Sequence, residues 1–486
     1  MYLINPAEHS RRAFLRRAGH LAIAGTATPF ALNLAAMGEA AAQGAPTDDY
    51  KALVCVFMYG GNDYANTLVN YDADSYAKYS GIRGAIALPF DADLAKTELK
   101  PTVALPGGRK YALNPSMTKL AALFDLGKMA VQMNVGPLVK PLTRAQYNGT
   151  NRRDYPVPPK LFSHNDQQSV WQSSSPEGST IGWGGNLGDL VLSGQKNASL
   201  FTCISVSGNT VFLSGDEAQQ YQVGTGGAVR INSVSTASGN VYDSSAVKAA
   251  MQQLAQQPRG HTLENEYNKV TARATSAEGK ITSAIMADDL NATFSGNDYL
   301  ANQLKMVARL IRGRASLGVK RQVFFVSMGG FDLHDDLDTK QGDLMRRVSE
   351  AMAAFQRQME LLQIDKNVTA FTASDFGRTL SSNGNGSDHG WGSHHFVVGG
   401  AVQGKALYGT APPVSVGNTA ADDDQWHVGQ GRLLPTTSVD QYAATLARWF
   451  GVPDAELDGI LPNLKNFNNV TAPSGQTYLR NMGFMG

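Results

Sequence analysis

Three short runs of almost unbroken apolar residues set the tightest limit on what this chain can fold into. They are Ala52–Met58 (ALVCVFM), Val323–Ser327 (VFFVS) and Val368–Ala373 (VTAFTA). A half-buried strand alternates apolar and polar residues, because successive side chains point to opposite faces. These runs do not alternate, so both of their faces must be covered, which is how the inner strands of a parallel sheet read. Each run closes on a turn that carries an aspartate: Asp63 after Gly60-Gly61-Asn62, Asp332 after Gly329-Gly330-Phe331, and Asp375 after Ser374. Ligands of open parallel sheets bind outside the carboxyl ends of the strands. Carboxylates distant in sequence are therefore expected along one edge.

Helical spacing fills the intervals. Lys119–Leu126, Leu344–Leu362 and Ser438–Phe450 read as helices, and Tyr299–Arg314 as a long amphipathic one with Leu300, Leu304, Val307, Leu310 and Ile311 on one face. Ser163 opens a further helix, since Ser163-x-x-Asp166 has the character of a capping box with Asp in place of Glu. Met129–Val135 and Phe396–Gly399 read as additional strands. The expected class is α/β, with a mainly parallel sheet covered on both faces. Residues 136–160 read as a loop, about 205–260 as a loop-rich insertion on the rim, and 43–486 as a single domain.

The chain has nine histidines, and four of them, His334, His389, His394 and His395, fall close together beside Asp332, Asp375 and Asp388. Mixed sets of carboxylate and imidazole suit zinc, manganese and other divalent ions, the carboxylate supplying charge and the ring a nitrogen of fixed geometry. In Asp332-x-His334 both side chains point the same way if the segment is extended. Taken singly, these elements also have ordinary readings, a surface or capping Asp-x-His and a plain helix cap at Ser163. Trp171, Trp391 and Trp426 read as core packing ahead of a substrate cleft, and Asp422-Asp423-Asp424 as a solvated loop ahead of a calcium site.

A formal net charge of +1 argues against a nucleic-acid binder or a membrane-surface protein, which would carry a basic excess. The chain's two cysteines, Cys55 and Cys203, exclude a disulfide scaffold, and no spacing for thiolate zinc, haem c or an iron–sulfur cluster occurs. Cys55 reads as a buried thiol, with a bridge to Cys203 left open. Ser10-Arg11-Arg12-Ala13-Phe14-Leu15 fits the twin-arginine consensus; the stretch from Leu21 to Met37 is only mildly apolar, and Ala40-Ala41-Ala42 offers small residues for cleavage. Residues 1–42 are thus expected to be a signal peptide for the twin-arginine (Tat) machinery. That places the protein in the periplasm or outside the cell, without a stable membrane anchor.

Gly60-Gly61-Asn62-Asp63, Gly329-Gly330-Phe331-Asp332-x-His334, Ser374-Asp375-Phe376-Gly377-Arg378-Thr379 and Asp388-His389-Gly390, together with the export signal, resemble the bacterial family catalogued as domain of unknown function 1501. That family is grouped with the alkaline phosphatase and sulfatase superfamily. The resemblance implies a three-layer α/β/α sandwich, divalent metal at the strand ends, and hydrolysis of an anionic phosphate or sulfate ester. It puts Asp63, Asp332, His334, Asp375, Asp388, His389 and His395 forward as metal ligands, and Ser163, His164 and Arg378 as catalytic residues. Zinc is the expected ion, with manganese, magnesium or calcium as the others. Ser163 would be the nucleophile and Arg378 an anion clamp. The sequence departs from the superfamily pattern in two places: one residue separates Asp332 from His334 where three are usual, and Phe376 stands where a histidine follows the strand-end Asp. A non-catalytic periplasmic binding or assembly protein that keeps the fold is the alternative. Neither cysteine sits in the Cys-x-Pro-x-Arg segment of formylglycine sulfatases, which disfavours that mechanism.

Overall fold

The run starting at Ala52 forms the inner strand β1 (Lys51–Met58), and its alternate residues enter two different cores. Val54, Val56 and Met58 join one apolar cluster, while Leu53, Cys55 and Phe57 join another. The computed structural model describes residues 49–192, 198–231, 233–235, 239–285, 290, 293–294, 298–471 and 477–486. The expected signal peptide, 1–42, lies outside the described residues.

The other strands that matter to the site are β2 (Met129–Gly136), β3 (Cys203–Ser205), β4 (Arg321–Met328), β5 (Val368–Ser374), β6 (Arg378–Ser382), β7 (Ser387–His389), β8 (Ser393–Gly399) and β9 (Ala406–Tyr408). The main sheet runs β9-β2-β8-β5-β1-β4-β3, with Tyr221–Gly224 and Gly227–Ala228 beyond β3. β1 pairs in parallel with β5 and β4, matching Cys55 to Phe371 and to Phe325. β8 runs antiparallel to both of its neighbours, β5 and β2. β6 and β7 form a separate hairpin above the sheet.

Eight helices complete the frame: α1 (Ala73–Arg83), α2 (Thr118–Asp125), α3 (His164–Ser173), α4 (Trp183–Val191), α5 (Thr262–Ile285), α6 (Tyr299–Arg312), α7 (Leu337–Leu361) and α8 (Val439–Phe450). Phe124, Ile281, Leu304 and Met352, from α2, α5, α6 and α7, cover one face of the sheet. Trp171, Leu187 and Tyr442, from α3, α4 and α8, cover the other. The result is the three-layer α/β/α sandwich. Leu300, Leu304, Val307, Leu310 and Ile311 are all buried, as the stripe on α6 required. Each such side chain contributes roughly 1.5–3 kcal/mol of hydrophobic stabilisation.

Some boundaries differ from the sequence reading. α7 begins at Leu337, two turns ahead of Leu344, because the loop carrying His334 and Asp336 enters it directly. The 136–160 loop holds a short helix, Arg144–Asn148, started by a Thr143–Gln146 capping box. Cys203 matches Val323 on β4 while Cys55 matches Phe325, so the thiols lie two strands apart and out of register. Strands two apart are separated by roughly 10 Å, beyond the ~7 Å reach of a disulfide. Both are free, buried cysteines.

Candidate metal centre at the carboxyl edge of the sheet

The turns after β1, β4 and β5 are knitted together through Gly60. Gly60 has φ +116°, and a Cβ there would overlap the backbone nitrogen of Asp332, so only glycine lets the two turns meet. The Gly60 amide donates to Asp375 Oδ2 at 3.1 Å, which joins the third turn. The β6–β7 hairpin then sets Arg378 opposite His389, over the same edge.

Three imidazoles converge here with one carboxylate. His389 Nε2 lies 3.1 Å from His164 Nε2 and 2.9 Å from His334 Nε2. Asp332 Oδ1 is 3.1 Å from His334 Nε2 and 3.3 Å from His389 Nε2, and its Oδ2 is 3.4 Å from His164 Nε2. Each ring is oriented through its other nitrogen. His164 Nδ1 donates to Asp375 Oδ2 at 2.7 Å, His334 Nδ1 to Asp388 Oδ1 at 3.3 Å, and His389 Nδ1 to the Phe162 carbonyl at 2.7 Å. Carbonyl and carboxylate oxygens only accept, so each Nδ1 carries the proton and each neutral ring presents an Nε2 lone pair. His164 Nε2, His389 Nε2 and the Asp332 carboxylate lie close to one another, and His334 Nε2 adjoins His389 and Asp332; these electron-rich groups repel unless something positive sits beside them. A tetrahedral ion bonded to imidazole nitrogens at 2.0–2.1 Å sets its ligand atoms about 3.3 Å apart. The His164, His389 and Asp332 donors therefore suit a divalent cation, with His334 at the edge of the set.

The supports are built into the elements. His164 and Gln168 stand one turn apart on α3, so both reach Asp375 Oδ2, Gln168 Nε2 at 2.9 Å. Phe162 has φ +73°, a conformation that bulky residues rarely adopt, and this turns its carbonyl toward His389. The Phe376 ring lies against both His164 and His389, with centroids 4.9 and 4.8 Å away. The imidazole absent after Asp375 is thus matched by one from α3, and Phe376 packs beneath the pair. Burial alone would raise Asp332, but the Arg378 guanidinium at 2.8 Å holds its carboxyl below the usual range. The hydrogen bond that His164 donates to Asp375 pushes His164 up, whereas burial pushes His389 down despite the Phe162 carbonyl.

The residues proposed from sequence divide accordingly. Asp332, His334 and His389 come together with His164, while Asp375 and Asp388 stand behind them as orienting groups. Asp63 lies outside the cluster: its buried carboxylate pairs with Arg83 and accepts from the Asn66 amide at 2.8 Å and the Ser387 hydroxyl at 2.9 Å. His395 is also outside, packed in the core against Trp171 and Tyr442 with Nδ1 by Thr372. Arg378 is not free to clamp an anion, since it donates to Asp332, the Gly60 carbonyl and Ser387. Ser163 precedes α3, but its hydroxyl donates to Asp166 Oδ2 at 2.9 Å and does not cap the helix amides. Gln168, the Phe162 carbonyl, Arg83 and Ser387 carried no sequence signal, because each acts through folding contacts far along the chain. Asp424 accepts from Ser415 and Thr419, and Trp391 is buried with its ring nitrogen on the Pro137 carbonyl.

Fold and site together define an α/β/α protein with a His/Asp cluster at the carboxyl edge of its sheet. The chain belongs to the family described as "Protein of unknown function (DUF1501)", which matches residues 50–461. No curated protein sequence matches it. Among solved structures it is similar to the PsFucS1 sulfatase from Pseudoalteromonas sp., at 10% identity and a TM-score of 0.36, covering 92% of this chain and 77% of that one. It is also similar to the alkaline phosphatase of the Antarctic bacterium TAB5, at 8% identity and a TM-score of 0.27, covering 75% of this chain and 95% of that one. Likenesses of this size say nothing about what this chain acts on. Among the described residues no helix is long and apolar enough to cross a membrane.

Proposed function

We propose that this chain is an exported, metal-dependent hydrolase of phosphate or sulfate esters. One observation carries the reading: ligand atoms of His164, His389 and Asp332 lie within 4.8 Å of one another, His334 Nε2 stands 2.9 Å from His389 Nε2, and each ring's Nδ1 is already on an oxygen acceptor. A divalent ion bound there, zinc by donor chemistry, would supply Lewis-acid polarisation of the ester and a more acidic bound water. Asp332 and His334 remain 44% and 40% exposed, so solvent and an anionic ester can reach the cluster. Ser163 neighbours the ligand His164, and its hydroxyl proton already points at Asp166. In this reading Ser163 Oγ attacks phosphorus or sulfur, its proton passes to Asp166, and the bond to the alkoxide breaks, the alkoxide taking a proton from solvent water as it leaves. A water molecule then cleaves the Ser163 ester to release phosphate or sulfate, and the proton held by Asp166 returns to Ser163 Oγ. Arg378 acts through Asp332, whose charge it keeps in place.

One observation favours a second reading, a cation-holding module without turnover: His164, His389 and Asp332 with His334 beside them are four protein side chains, the number that a structural zinc site uses. The test is metal analysis of the purified chain, followed by aryl phosphate and aryl sulfate turnover with zinc, manganese, magnesium and calcium. Bound zinc with turnover that is lost in Ser163→Ala is the expected result. Bound metal without turnover selects the module, and neither metal nor turnover removes both readings.

A further inference from the structure

With Arg378 committed to Asp332, the proposed anionic substrate needs a different cation, and the loop before Leu433 presents one. Arg432 Nε–H donates to the His389 carbonyl at 2.7 Å, and its guanidinium lies over the Phe162 ring, 5.3 Å from the centroid. Both contacts are to residues that build the metal cluster: His389 through its ring, Phe162 through the carbonyl that orients that ring. The backbone beneath Arg432 is equally fixed. Gly431 has φ +69°, a Cβ there would overlap the Leu380 side chain, and its carbonyl accepts from the Tyr64 hydroxyl at 2.9 Å.

What distinguishes Arg432 is what it lacks. Among the described residues no ion pair involves it, and its side-chain hydrogen bond uses Nε alone. The acid whose charge acts on it, Asp388, is engaged by His334 and Asn383. A half-buried guanidinium held at Nε and by ring stacking keeps both terminal nitrogens for another partner, and its planar fork matches phosphate or sulfate oxygens. Partial burial disfavours its charge more than Asp388 supports it, so an incoming anion gains by pairing with it.

We propose that Arg432 is the substrate-binding cation of this site, taking the anionic oxygens of a phosphate or sulfate ester beside the metal cluster. This assignment rests on the ester-hydrolase reading above. The experiment is calorimetric titration of inorganic phosphate and sulfate into the zinc-supplemented parent, Arg432→Met and Arg432→Lys proteins, with zinc content and melting temperature measured in parallel. Expected are phosphate binding by the parent, at least tenfold weaker binding by R432M at unchanged zinc content, and an intermediate affinity for R432K. Equal affinity in R432M and parent overturns the Arg432 assignment alone. An R432M protein that loses zinc along with phosphate makes Arg432 a prop for His389 and likewise overturns the anion role. A parent that binds zinc but neither anion overturns the ester reading and this assignment together.

Discussion

Asp63 and Asp332 occupy matching places in the sequence, each at the turn after an inner strand, yet their side chains go opposite ways. Asp332 is partly exposed among three imidazoles, whereas Asp63 is fully buried on Arg83. Burial would raise Asp63, but the adjacent guanidinium holds its carboxyl below the usual range. The two alanine variants should therefore separate cleanly. Asp332→Ala should lose bound zinc while melting close to the parent freed of metal. Asp63→Ala leaves a buried arginine without its counter-charge, and should cost about 3–5 kcal/mol of stability. Its folded fraction should still bind zinc, because no ligand is removed. Chemical denaturation alongside metal analysis reads both effects. An Asp63→Ala protein of parental stability but without zinc would return Asp63 to the ligand set.

At the scale of elements, β8 carries a consequence for acid stability. His394 and His395 are buried on it, facing Tyr64 and Trp171 respectively, and burial pushes both down to about 3. In the unfolded chain they return to about 6.5. Between these values the unfolded state holds the extra proton, so acidification favours unfolding. Each ring removes about 1.4 kcal/mol per pH unit as pH falls below ~6.5, and the loss levels off near pH 3. His395→Gln should flatten that slope by close to one proton, measured by denaturant melts from pH 7 to 4; an unchanged slope would show that His395 is already charged in the fold. The same strand shows where sequence reading stops. Its apolar content marks it as a buried strand, as for β1, β4 and β5, since unbroken apolar runs need both faces covered. Which way a polar residue in such a strand points is set by register and a bulge between Ser393 and His395, and no local signal encodes that. The Asp and His positions near the edge were legible; the division into ligands and supports was not. Asp63 was claimed by Arg83 on α1, and the imidazole missing after Asp375 came from α3, in each case through contacts only the folded chain creates.

At the scale of the whole molecule, the cluster ties together parts that the sheet alone leaves loosely joined. His164 comes from the start of α3, Asp332 and His334 from the loop between β4 and α7, and His389 from a hairpin outside the main sheet. The inner strands are held by parallel pairing and by two apolar cores, so they need no cation to stay in register. The α3 start and the hairpin depend on the site more directly, since lone-pair repulsion among the three rings pushes them apart when no cation is bound. Ligand binding to the folded state alone stabilises by RT ln(1 + [L]/Kd), about 2.7 kcal/mol at one hundred times Kd. Local opening should absorb most of that difference when metal is removed. Hydrogen exchange of zinc-loaded and chelator-treated protein should then show faster exchange in residues 160–168, 331–336 and 378–390, with β1, β4 and β5 unchanged. Uniform acceleration across the sheet would mean that the cation supports global folding, and no change anywhere would mean that the imidazoles are held apart without one.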